Sequence, residues 1–332
     1  MTKKWNFFVG MDVSKKTIDV SCNTKKIHIK IDNNSQGFSV LLKWFSANQI
    51  DVSQTIVVFE YTGGYEFRLM QFCESKNIDY CRLPGLEIKK SIGMVRGKND
   101  KVDAKRISQY AYEKKESIKP STPINTIVTE LKDLMNYRKK LVRENAGYKS
   151  SISERKAMYD VKKKDLIITS LTKKLKANEK LIKEIEAAIE VIINTDEALL
   201  LNYNLLTSIK GIGSVNAIMT IVITENFTKF SNARKYAVYC GVVPFDNSSG
   251  SSINGRKKVS HLANKDVKQE LNQAAKAAMM YDEETKLYGE RKLSMGKHYK
   301  VVLNNIKFKL ILRMFAVVNN KKMYVDKYKK IA

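Results

Sequence analysis

Residues 7–13, FFVGMDV, form an apolar run of strand length that carries a carboxylate, Asp12, inside it. A second such run, TIVVFEY at 55–61, carries Glu60 near its end. An unpaired carboxylate in apolar strand surroundings is costly to bury. Two strands that each accept that cost set the first problem the chain poses.

Outward from the first run, TIDVSC (17–22) and KIHIKID (26–32), with Ile27, Ile29 and Ile31 on one face, continue as an antiparallel meander. Phe38, Leu41, Leu42 and Phe45 predict an amphipathic helix over 38–47. After the strand at 55–61 come a helix over 65–76, a strand over 79–84, a basic loop and a helix from about Asp100. The order βββαβαβ and then helix predicts a mixed sheet flanked by helices, the RNase H-like layout. Pro120 and Pro123 close this part, because each disfavours helix in the residue before it.

From about Ile124 to Leu200, Leu131, Leu134, Leu141, Leu171, Leu175, Ile182, Ile185, Ile189 and Ile192 recur at helical spacing with Lys and Glu between them. That predicts a long helical hairpin or coiled coil, packed on its own chain or on a second copy. From about Tyr203 the pattern is helical, with a polar loop at 246–255. The fold class is therefore α/β plus all-α: a mixed-sheet domain over 1–120, a helical coiled-coil segment over 121–200 and a mainly helical domain over 201–332.

Composition narrows the chemistry. Sixty Lys and Arg stand against 34 Asp and Glu, a formal net charge of +26 on 332 residues, and such a field gathers polyanions. No apolar run approaches the roughly 20 residues that span a bilayer, and the apolar start is too short for a secretory signal. Cys22, Cys73, Cys81 and Cys240 show no CxxC pairing and read as reduced thiols of a cytoplasmic protein. His28, His261 and His298 are too scattered for a histidine metal site. Carboxylates and hydroxyls remain.

In the RNase H-like layout the first strand, the fourth strand and the last helix meet at one edge of the sheet. Asp12, Glu60, Asp100 and Asp103 would then converge, the last two sharing a helix face at a spacing of three. Four hard oxygen donors suit Mg²⁺ (or Mn²⁺), and paired ions stabilise the attacking and leaving oxygens of a phosphoryl transfer. Nearby Lys89, Lys90, Arg96, Lys98, Lys101, Lys105 and Arg106 would position a phosphate backbone, where a charge run alone reads as a solvated face. In residues 205–223, Gly211 and Gly213 mark a turn between helices that either approaches a phosphate or only reverses the chain. In the polar loop, Ser248, Ser249, Ser251 and Ser252 run into Arg256, Lys257, Lys258 and a helix with Lys265 and Lys268. This is either a solvated loop or a hydroxyl nucleophile among cations.

The pieces VGMDVSKKTIDV (9–20), VVFEYTGGYEFRL (57–69) and KNDKVDAKRI (98–107) resemble the three acidic motifs of DEDD transposases. These are the bridge-RNA-guided recombinases of the insertion-sequence one-ten family. SIKGIGSVNAIMTIVI (208–223) and YAVYCGVVPFDNSSGSSINGRKKVSHLANK (236–265) are similar to that family's C-terminal transposase domain. The resemblance implies a RuvC-like domain holding metal through Asp12, Glu60, Asp100 and Asp103, and a dimerising coiled coil. It also implies a catalytic serine directly before glycine, here Ser249, with Ser248 beside it. It implies covalent attachment of DNA to that serine, a structured guide (bridge) RNA pairing with donor and target DNA, and a homodimer that forms a tetramer on DNA in the bacterial cytoplasm. Two rival readings share these residues: a RuvC-like junction endonuclease that uses water, and a non-catalytic nucleic-acid-binding protein.

Overall fold

The computed structural model describes residues 5–92, 100–159, 165–249 and 253–326. The chain divides into two compact units, Met1–Ile124 and Asn125–Ala332.

In the first unit, β1 (Phe7–Val13), β2 (Thr17–Cys22), β3 (Ile27–Asp32), β4 (Thr55–Glu60) and β5 (Asp79–Leu83) form one sheet in the order β3-β2-β1-β4-β5. The meander β1-β2-β3 is antiparallel, while β4 runs parallel to both β1 and β5. This is the mixed sheet that the alternation of the sequence predicts. Four helices cover it: α1 (Ser35–Ala47), α2 (Phe67–Ser75), α3 (Gly85–Ile92) and α4 (Asp100–Glu113). The period-two pleat sorts the strand residues between two cores. Val9, Met11, Val57 and Phe59 pack with Phe38, Leu41 and Phe45 of α1 and Leu69 and Met70 of α2. Phe8, Ile56 and Val58 pack with Ile88 of α3 and Ile107, Tyr110 and Ala111 of α4.

Two local departures from the sequence expectation have physical causes. Helix α1 starts at Ser35, before Phe38, because the Asn34 side chain accepts from Gly37 N at 2.9 Å and caps it. The basic stretch expected as a loop begins as α3, where Ile88 is buried and Tyr110 Oη donates to Glu87 Oε1 at 2.7 Å, tying α3 to α4.

The contact that sets the layer spacing is at Gly10. Helix α4 lies so close on β1 that a Cβ at residue 10 would run into the backbone, at Ser108 N, at Ala104 O and, at 2.8 Å, at the Ile107 carbonyl carbon. Only a residue without a side chain lets helix and strand backbones meet this way. Phe8, on the same face, packs edge-on against Tyr112 with ring centroids 5.6 Å apart.

In the second unit α5 (Thr126–Met158) and α6 (Leu166–Thr195) form an antiparallel hairpin. Its register is fixed by Arg155–Asp165 at 2.7 Å, Asn178–Asn145 at 3.0 Å and Arg138–Glu186 at 2.7 Å. The base of the hairpin contributes Leu131, Ile185 and Ile189 to a core shared with α7 (Glu197–Thr207), α8 (Ser214–Thr224), α9 (Ala233–Tyr239), α10 (Lys265–Tyr281) and α12 (Tyr299–Asn320). Helix α11 (Glu283–Ser294) links α10 to α12. Asn125, Asp165, Asp196, Asn232 and Asn264 cap the starts of α5, α6, α7, α9 and α10 with side-chain acceptors. The polar loop expected at 246–255 is instead part of an antiparallel hairpin, β6 (Pro244–Ser249) and β7 (Ile253–Val259). Its stabilisation is backbone pairing, which the non-alternating sequence PFDNSS does not advertise.

All four cysteines are buried and free. Among the described residues no helix is long and apolar enough to cross a membrane.

Gly10→Ala should cost roughly 1–3 kcal/mol of stability, the ordinary toll of overpacking a tight interface. Urea unfolding of the two proteins checks this, and an unchanged midpoint would refute the close approach of α4.

Candidate active site

Because β1 and β4 are parallel and Met11 pairs with Phe59, the next residues, Asp12 and Glu60, reach the same sheet edge. Both continue the face that bears Phe8, Gly10, Ile56 and Val58, which is the α4 face. Helix α4 runs against β1, with Tyr112 at Phe8 and Ala104 at Gly10. Its first turn, which holds Asp100 and Asp103, therefore lies at the Asp12 end. Four acids distant in the chain meet where two strands end and one helix begins.

Their electrostatics report the meeting. Asp12 is pushed up from 3.8 to about 6, first by burial and then by the charges of Asp100, Asp103, Glu60 and Asp19. Burial also raises Glu60, with Asp103 adding and the Lys89 ammonium opposing. The carboxylates share a field without touching: among the described residues, no three His, Cys, Asp or Glu side chains are gathered closely enough to hold an ion. Asp103 Oδ1 instead accepts from Arg106 Nη1 at 2.8 Å, and Asp100 is exposed.

Sequence reasoning missed the residues that shape this edge. Gly85 is one, since a Cβ there would collide with Glu60 Oε2. Glu66 is another: buried, it accepts from Thr62 N at 3.3 Å, Thr62 Oγ1 at 2.5 Å and Gly64 N at 2.9 Å, fixing the loop that follows Glu60. Burial works to raise its carboxyl, but those hydrogen bonds outweigh it and hold Glu66 below the usual range. Asp19 sits opposite Asp12 in the β1–β2 register, buried and paired with His28 Nε2 at 2.8 Å and Lys30 Nζ at 3.5 Å. The lone glycine within a strand was the available signal for Gly10; for Gly85, Glu66 and Asp19 the sequence offered none.

Of the expected nucleic-acid contacts, Lys89 lies on α3 beside Glu60, Lys101 and Lys105 are exposed on α4, and Arg106 is half-buried against Asp103. Lys90 belongs to α3 by its backbone, while Arg96 and Lys98 lie outside the described residues. In the second unit Ser248 and Ser249 end β6, with Ser249 in register with Ile253, and residues 250–252 lie outside the described residues. Arg256, Lys257 and Lys258 are on β7, and exposed Lys265 opens α10. Gly211, at φ +93°, packs against α10, where a Cβ would come within 2.7 Å of Ala274 O; Gly213 precedes α8 with open space around it.

Comparison with known proteins supplies the class. Residues 9–155, which include all four acids, match a family model described as a transposase (DEDD_Tnp_IS110). Residues 203–290, which include Ser249, match one described as the transposase IS116/IS110/IS902 family. The insertion element IS110 uncharacterized 43.6 kDa protein of Streptomyces coelicolor is 29% identical over 160 residues, 48% of this chain and 38% of that protein. The match thus spans well under half the length of that relative. The chain belongs to the IS110 family of transposases.

Since Asp12 titrates higher in the fold than its ordinary 3.8, its ionisation opposes folding. Its contribution is fully present below about pH 4 and is lost as pH rises through about 6. Asp12→Asn should therefore be more stable than the parent at pH 7.5 in chelator, by ~1–3 kcal/mol, and the gap should close at pH 4. Thermal melts across that range would contradict the convergence of the acids if the two proteins ran parallel.

Proposed function

We propose that the protein is a DNA transposase and recombinase that cuts and exchanges strands by phosphoryl transfer, with a first unit of RNase H-like (RuvC-like) fold. The observation that carries this reading is the shared field of Asp12, Glu60, Asp100 and Asp103 at one sheet edge. The strand order β3-β2-β1-β4-β5, with α4 laid across β1, supports it. The donor set fits Mg²⁺ or Mn²⁺ in kind: four hard oxygen ligands, one of them seated over Gly85. Bound there, the metal would polarise the scissile phosphate and stabilise the leaving oxygen. Asp12 and Glu60 hold the strand side, while Asp100 and Asp103 hold the helix side once Arg106 releases Asp103. Lys89, Lys101 and Lys105 orient the phosphate backbone.

Ser249 is the nucleophile of this reading. Its Oγ bonds to phosphorus as a backbone P–O bond breaks, the serine proton is lost and the departing sugar oxygen gains one. A hydroxyl from a second strand then displaces the serine and restores it. Lys257, Lys258 and Lys265 offset the charge that develops. A structured bridge RNA pairs with donor and target DNA, and the net charge of +26 suits a protein that holds both nucleic acids by their backbones. Copies pair through the long helical hairpin and assemble as a tetramer on DNA.

Two measurements test this. Mg²⁺ should raise the melting temperature of the parent and leave Asp12→Asn unmoved, since only the intact acid set binds the ion; equal shifts would remove the metal site. With cognate RNA and DNA, the parent should yield a denaturant-resistant protein–DNA adduct that Ser249→Ala abolishes. Asp12→Asn should lower its yield roughly a hundredfold or more. Strand cleavage that persists in Ser249→Ala would replace the serine with water.

A further inference from the structure

Lys307 lies in α12 with 3% of its surface exposed, between the core residues Ile306 and Leu310. A buried ammonium is costly unless an anion meets it. Among the described residues Lys307 has neither an ion pair nor a hydrogen-bond partner on its side chain. The charged group that faces it is a second cation, Lys268 of α10; burial first and Lys268 second push Lys307 down to about 8. The same helix shows how a half-buried cation with a structural task is treated. Arg313, six residues on, is paired with Asp282 and Glu284 at 2.7 Å each.

The location of the lysine pair is specific. Asn304, one turn before Lys307, donates from Nδ2 to Val242 O at 2.6 Å, so this face of α12 addresses the turn at residues 241–242. Gly241 holds that turn at φ +66°, and a Cβ there would lie 3.7 Å from Lys268 Cδ and 3.2 Å from Val259 Cγ1. Pro244 opens β6 and Val259 closes β7. The two cations therefore stand at the root of the hairpin.

From this placement we infer that Lys268 and Lys307 form an anion site that takes one phosphodiester group of a nucleic-acid strand at the root of the β6–β7 hairpin. The inference rests on the proposed action on nucleic acid and adds a positioning site whose buried member, Lys307, the sequence motifs do not contain. A phosphate between the two ammonium groups would neutralise their mutual repulsion and satisfy the buried one, and would fix the strand relative to the hairpin.

The test uses the full chain with Lys307→Met and Lys268→Met, titrated against duplex DNA and against a structured RNA between roughly 50 and 200 mM salt. Each substitution should weaken binding of at least one nucleic acid roughly tenfold and lower the log–log salt slope by about 1. The arm that weakens identifies whose phosphate occupies the site. Lys307→Met should also melt no lower than the parent, because it removes a cation on a buried residue that has no partner among the described residues. If Lys307→Met does not fold, Lys268→Met decides alone, since its side chain is only partly buried. Parent-like affinity and slope on both nucleic acids overturn this inference and leave the proposed function standing. A parent that binds neither nucleic acid overturns both.

Discussion

The first unit depends on a backbone-to-backbone contact. Helices normally rest on sheets through interdigitated side chains, which hold the two layers apart. At Gly10 that cushion is missing, and Ala104, Ile107 and Ser108 of α4 press directly on β1. The result is a lever: two residues beyond Gly10 along the strand is Asp12, and one turn before Ala104 along the helix is Asp100. Any side chain at residue 10 would lift the helix start away from the strand end, and the acids would stop sensing each other. The packing of an uncharged interface thus sets the electrostatics of a charged one.

Those electrostatics are deliberately unsatisfied. In a chain of net charge +26, enough lysine and arginine exists to pair every carboxylate, yet Asp12 and Glu60 are raised by burial and by one another's neighbours. Asp19, opposite Asp12 in the strand register, shows the alternative, paired with His28 and Lys30. Arg106 on Asp103 and the field of Lys89 on Glu60 compensate in part. A group left short of counter-charge in such surroundings marks a candidate functional site.

The residues readable from sequence were those whose neighbours are local. All five strands were legible from their apolar runs, and α1 and α2 from helical spacing, with ends shifted only where a cap such as Asn34 decides. Both members of the long hairpin followed from recurring Leu and Ile. Helix α3 was not legible, because GLEIKKSI presents few apolar residues and is held through Ile88 and the Glu87–Tyr110 bond, partners remote in sequence. The β6–β7 hairpin was missed for a related reason: its pairing is main-chain, and its side chains are small, polar or basic. The acids were identified from chemistry, but the close approach of α4 that brings them together needs Gly10, whose task is visible only once the backbone atoms it makes room for are in place.

Lys307 completes the argument from the opposite sign of charge. In IKFKLILRMF the lysine reads as the polar face of an amphipathic helix, and only packing reveals that Lys307 is buried while Arg313, in the same run, finds two carboxylates. The first unit thus concentrates negative charge short of cations, and the second holds buried positive charge short of an anion. Within each unit, the proposed action on nucleic acid would supply what is missing: divalent cations at the acids of the first, a phosphate at the lysines of the second. A protein whose uncompensated charges had evolved only for solubility would place them on the surface, where water screens them; here Lys307 is buried and Asp12 half-buried.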